Sequence, residues 1–187
     1  VTEDSKLIEQ TLEGDPNAFG QLVERHQAAL FNFVYHFVGN YHDAEEITQE
    51  SFFHAYERLG TFRGRSRFKT WLFSIACRLA YRRKPKTTVM TSEIISLGMN
   101  QHSASSSSRG QNRDNPAAAL DQQETVRAVR EAILELPAPY RLAVLLVDLE
   151  GMDYSRAAKT LKIPVNTLRS RLARGREILR RKLAPIL

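Results

Sequence analysis

The chain has 187 residues, with 27 Lys+Arg against 21 Asp+Glu and a formal net charge of +6. At 42% hydrophobic and 26% charged it has the composition of a globular protein, and its longest apolar run, Leu142 to Val147, is far short of the roughly 20 residues a membrane span needs. The single cysteine, Cys77, excludes an internal disulfide and a cysteine-based zinc site. The acidic, polar start from Val1 to Lys6 shows no signal or transit peptide, so a cytoplasmic location is expected.

Helical periodicity runs through the chain. Asp15-Pro16 reads as an N-cap followed by proline in the first turn. Phe19, Leu22, Val23, His26, Leu30, Phe33, Val34 and Phe37 then recur at spacings of three and four until Gly39-Asn40 ends the helix. A second helix is predicted from about Asp43 to Leu59, with acidic residues in its first turn and Gly60 as its stop. A third follows Ser66, with Phe68, Trp71, Leu72, Ile75 and Leu79 on one face, and ends before Pro85. Residues 86–115 are rich in serine, lack a sustained period and read as a flexible linker. Its relaxed span is roughly 30 Å and its limit on the order of 100 Å.

Asn115-Pro116 repeats the cap-then-proline signal, and Val126, Val129, Ile133 and Leu136 mark the helix that follows. After the Leu136-Pro137-Ala138-Pro139 corner comes a short apolar helix from Arg141 to Glu150, closed by Gly151. Asp153 caps a helix through Lys162, Ile163-Pro164 turns the chain, and a last helix runs to about Leu183. No strand pattern is present. The expected fold is all-α: an N-terminal helical bundle (residues 1–85), a linker (86–115) and a C-terminal helix-turn-helix domain (116–187).

Charge is distributed unevenly over these pieces. Residues 1–60 carry net −8, 61–86 net +9, 87–150 net −3 and 151–187 net +8. Two cationic blocks on separate domains suit a polyanion touched at two places. Fourteen of the sixteen aromatics precede residue 87. Phe62, Phe68, Trp71, Phe73 and Tyr81 are interleaved there with Arg63, Arg65, Arg67, Lys69, Arg78, Arg82 and Arg83, the mixture that holds a single strand through phosphates and stacking. Phe68 and Trp71 belong to the apolar stripe, so Phe62, in a glycine-containing loop, is the better base contact.

The segment from Tyr154 to Leu172 has the form of a helix-turn-helix, with Ala158 where the helices cross and Val165, Leu168 and Leu172 facing inward. That leaves Asn166, Thr167, Arg169, Ser170, Arg171 and Arg174 near the start of the second helix, where base edges are read. Arg176, Arg180, Arg181 and Lys182 follow as phosphate contacts.

These residues resemble a known family. Leu136-Pro137, Arg141, Leu149 to Ser155, Ile163-Pro164-Val165 and Arg169 to Arg176 look like the fourth conserved region of bacterial sigma factors. Asp15 to Phe19, Asp43 to Phe52 and Phe68 to Ala76 look like the second. Two such blocks in this order resemble the extracytoplasmic-function (ECF) subfamily of the sigma-70 family. The resemblance implies a bacterial cytoplasmic factor that binds core RNA polymerase through Asp43, Glu46, Gln49 and Glu50. It implies that Phe62, Arg63, Arg65, Arg67, Lys69, Arg78, Arg82 and Arg83 melt and read the minus-10 promoter element. It gives the minus-35 element to Asn166, Thr167, Arg169, Ser170, Arg171, Arg174 and Arg176, and an anti-sigma protein is the implied regulator. Cys77 and Arg78 stand where the family often has arginine and asparagine, and Arg156-Ala157-Ala158 and Asn166 also depart from the usual pattern, which bears on promoter preference rather than on role.

Other classes fit less well. No Glu-x-x-His pair, HExxH, P-loop or dinucleotide turn occurs, and the five histidines share no ligand spacing, so no catalytic residue, metal or cofactor is expected. His26, on an apolar face, reads as a structural residue. A stand-alone helix-turn-helix repressor or activator would account for residues 116–187 but not for the second cationic, aromatic-rich block.

Overall fold

The computed structural model describes residues 3–83 and 116–185, without the side chains of 116–123. The expected linker, 86–115, lies outside the described residues. Eight α-helices, and no strand, occur among the described residues: α1 (Glu3–Leu12), α2 (Pro16–Val38), α3 (Tyr41–Glu57), α4 (Phe68–Arg82), α5 (Pro116–Leu134), α6 (Ala138–Val144), α7 (Tyr154–Leu161) and α8 (Val165–Leu183). A 3-10 turn at Leu59–Thr61 follows α3, and a π-helical turn at Leu145–Leu149 extends α6.

Local chemistry sets most helix ends. The Asp15 carboxylate accepts from the Asn17 amide at 2.9 Å, and Gly39 ends α2 with a left-handed φ of 78°. The α3 helix starts two residues earlier than expected because the Asn40 side chain is its cap, accepting from the Asp43 amide. Asp153 caps α7 by accepting from the Arg156 amide at 2.8 Å.

The α1 helix is not marked by periodicity. Only Leu7 and Ile8 of it are buried, and it is tied to α2 by Asp4, which accepts from Arg25 at 2.9 Å and faces His26 Nε2 at 3.0 Å. His26 is buried there, as a structural residue should be.

The N-terminal half is built on α2, which packs against α1, α3 and α4 around Leu22, Leu30, Phe33, Phe37, Ile47, Phe68, Leu72 and Phe73. In the C-terminal half α8 packs across α5, α6 and α7. Gly175 sits where α8 crosses α6: a Cβ there would lie 2.9 Å from Val144 Cγ2. Val126, expected on the buried face of α5, is exposed, and burial begins further along at Ala132 and Leu136.

The two halves also pack on each other, α2 against α5, α6 and the π-helical turn, and α4 against α7. The α4 helix is therefore buried more widely than its predicted stripe. Phe68, Leu72 and Ile75 are buried as expected, but so are Phe73, Ala76, Cys77 and Ala80, while Trp71 and Leu79 are only half-buried. Arg141 ties the halves together. Buried without a carboxylate partner, it donates to the carbonyls of Leu134, Leu136 and Phe37 and lies 5.4 Å from the Phe37 ring.

Candidate nucleic-acid interface

The helix-turn-helix is α7, its turn and α8. Ala157 and Ala158 are buried, so the helices approach closely, and Leu168 and Leu172 anchor α8 in the core. Lys162 makes the turn with a left-handed φ of 53°. Asn166, Arg169, Ser170 and Arg174 are exposed along the start of α8, and Thr167 and Arg171 are half-buried beside them. Arg169 lies 5.9 Å from the Tyr154 ring, which holds its guanidinium at the helix surface. Arg176 is differently placed. It grips Asp148 with two bonds, Nε to Oδ2 at 3.1 Å and Nη2 to Oδ1 at 2.5 Å, and that carboxylate holds its pKa above the ordinary arginine value. A guanidinium engaged in this way positions the π-helical turn under α8 rather than standing free for phosphate.

The second cationic strip runs from the loop before α4 along that helix. Arg63, Arg65 and Arg67 are exposed in the loop, where Gly64 takes a φ of 64°. Phe62 does not project freely. It is half-buried, with its ring centroid 5.2 Å from Trp71 and 6.1 Å from Phe68. Phe68 is core, whereas Phe62 and Trp71 share the half-buried edge that carries the strip. Tyr81 is the aromatic of α4 that stands clear, 57% exposed between the exposed Arg78 and Arg82. Its place in the aromatic-basic mixture was visible in the sequence, but its exposure was not.

Two strip residues are occupied by carboxylates. Lys69 pairs with Glu150 of the other half at 2.9 Å. Arg83 bridges Glu46 and Glu50 of α3, lying 3.4 Å from Glu50. The carboxylates implied to meet polymerase are thus partly covered by an arginine implied to meet DNA. Around them Gln49 is exposed and Asp43 half-buried, so the expected acidic set does lie along one helix.

Two cationic surfaces, one a helix-turn-helix and one carrying aromatic rings, on an all-α scaffold define a DNA-binding transcription protein. Residues 22–88 match sigma-70 region 2 and residues 126–179 match sigma-70 region 4. The chain is 32% identical over 191 residues to RNA polymerase sigma-H factor of Pseudomonas aeruginosa, covering 99% of this chain and 96% of the relative. It is 31% identical to ECF RNA polymerase sigma factor SigW of Bacillus subtilis, covering 95% of each. Among solved structures, CnrH in complex with the cytosolic domain of CnrY matches with a TM-score of 0.69 at 24% identity, over 98% of this chain and 99% of that one. The sigma factor RpoE of Bartonella quintana, in complex with the anti-sigma factor NepR, matches with a TM-score of 0.64 at 19% identity, over 89% and 96%. These two likenesses bear on the fold.

The chain belongs to the ECF subfamily of the sigma-70 family. It is a transcription initiation factor of the kind that brings RNA polymerase to promoters. Membership spans nearly the whole chain, so the repressor reading, which accounted only for residues 116–187, is set aside.

Proposed function

We propose that residues 3–83 and 116–185 act as two promoter-binding units of one sigma factor, and that the chain works by binding rather than by catalysis. The observation that carries this is the pair of cationic surfaces, one along the start of α8 in the helix-turn-helix and one along α4 and the loop before it. In α8, Asn166, Thr167, Arg169, Ser170, Arg171 and Arg174 read the minus-35 duplex, with arginines suited to guanine edges and phosphates. In the other half, Arg63, Arg65, Arg67, Arg78 and Arg82 hold the opened minus-10 strand, with Phe62, Trp71 and Tyr81 available for stacking. Lys69 and Arg83 join them once their carboxylate partners are taken up elsewhere. Asp43, Glu46, Gln49 and Glu50 dock on core polymerase. No described helix is long and apolar enough to cross a membrane, and we place the protein in the bacterial cytoplasm, with an anti-sigma protein as its regulator.

Run-off transcription with purified core polymerase tests the reading: product from a genomic promoter should require both this chain and core. Reversing charge at Glu46 and Glu50 to lysine should weaken core binding by tenfold or more, as for close charge pairs across interfaces. Affinity of the C-terminal helix-turn-helix half for isolated duplex DNA should stay unchanged. Core binding that survives the reversal would remove α3 from the docking surface.

A further inference from the structure

Cations collect in the cleft beside the α4–α7 contact. It is a cavity of about 320 Å³, walled by Arg78 and Arg82 of α4, Lys162 of the turn and Arg171 of α8. That volume lies at the lower end of small-molecule sites, roughly 300–1,000 Å³. No acidic side chain is among the described residues that line it. Elsewhere Lys69, Arg83 and Arg176 each hold a carboxylate, but Arg82, Lys162 and Arg171 form no ion pair among the described residues. Like charges around one concavity repel, and its walls focus their field on any anion that enters. A compact group with several negative charges relieves the repulsion, and arginine forks match phosphate oxygens two at a time.

Lys162 adds a second observation. Among the described residues it alone combines a side chain with a positive φ, at 53°. Glycine would take this backbone at no steric cost. The chain instead keeps a strained lysine, with its ammonium at the cleft, which points to a use for the charge there.

The rest of the wall has a different chemistry. Tyr81 is exposed at the cleft, and Pro139 and Leu161 line it with apolar surface. A ring and an apolar wall beside four cations suit a molecule with a flat base at one end and phosphates at the other.

We propose that the cleft binds a nucleoside polyphosphate, with Arg78, Arg82, Lys162 and Arg171 on its phosphates and Tyr81 against its base. Arg78, Arg82 and Arg171 are promoter contacts in the reading above, so nucleotide and promoter compete for them. Lys162 belongs to neither promoter surface and serves the nucleotide alone. The site stands on the cavity and its charges, and goes beyond that reading.

Equilibrium dialysis of the full chain against ATP, GTP and inorganic tripolyphosphate, at fixed ionic strength, tests this. ATP or GTP should bind more tightly than tripolyphosphate. K162Q and K162G should each weaken nucleotide binding about tenfold, for loss of one charge-assisted contact. Glycine relieves the turn, so K162G should gain Tm while it loses affinity, a combination that loosening of the fold does not produce. Y81A should weaken nucleotide binding about fivefold or more and leave tripolyphosphate unchanged. Affinity for minus-35 duplex should hold in both lysine variants.

Nucleotide binding that survives both lysine substitutions would overturn the proposal, as would no binding at all. Tripolyphosphate binding as tight as nucleotide, with no response to Y81A, would overturn the assignment to a nucleotide. Equal losses of nucleotide and duplex affinity in K162G would overturn it too, by making Lys162 a general polyanion contact. No duplex binding by any of these proteins, with nucleotide binding intact, would instead overturn the promoter reading and leave the site in place.

Discussion

At the scale of single residues, Arg141 carries the largest stake. A buried guanidinium with no carboxylate would ordinarily cost too much, and burial does lower its pKa from the usual arginine value. It is tolerated because Leu134 is the last residue of α5 and Phe37 lies in the last turn of α2, so their carbonyls carry the negative end of two helix dipoles. One planar group caps two helices. Arg141→Ala should therefore destabilise the chain by about 3 kcal/mol, by orphaning carbonyls as well as losing bonds. Arg141→Lys should recover little, because an ammonium cannot span the same acceptors. Urea denaturation of the three proteins checks this, and a lysine variant close to wild type would show that charge rather than geometry matters.

At the scale of elements, what was legible in the sequence divides by range. Asp15 with Pro16, Gly39 and Asp153 announce helix ends because the bonds they make reach only two to four residues. The helix-turn-helix was legible for the same reason. Its start, crossing residue and anchors all fall within one short stretch. What escaped depends on distant partners. The α1 helix is held by Arg25 and His26, and the second buried face of α4, with Ala76, Cys77 and Ala80, exists only because the C-terminal half covers it. Lys69, Arg83 and Arg176 read as free cations in sequence, and their partners lie 81, 33 and 28 residues away. The turn between α7 and α8 carries its own cost. Lys162 holds φ 53° and ψ 45°, a left-handed conformation that disfavours a side chain. Lys162→Gly should raise the stability of the C-terminal half by about 1 kcal/mol, read as a higher Tm, provided the turn keeps its shape. A lower Tm would mean that the lysine stem makes contacts that outweigh the strain.

For the whole molecule, the packing of the two halves links stability to pH through α2. Burial is the chief cause that lowers the pKa of both His26 and His36 below the ordinary value near 6.5. Asp4 opposes the shift at His26 without reversing it, and the Asn32 carbonyl does the same at His36, where Arg130 from the other half adds to the lowering. In both cases the folded chain binds a proton less readily than the unfolded chain. The stability they contribute is therefore complete above about pH 6.5 and is lost as pH falls through the lower folded values. Thermal unfolding should be nearly constant from pH 7 to 8 and then fall on the acid side. His36→Gln should flatten part of that fall, because it removes a proton site beside Arg130, itself stacked on Tyr35 across the halves. The same acidification should weaken the packing of the two halves. A second cation forming next to Arg130 repels the C-terminal half from α2. If acid lowered Tm equally in wild type and His36→Gln, the loss would arise elsewhere, and His36 would have no part in holding the halves together.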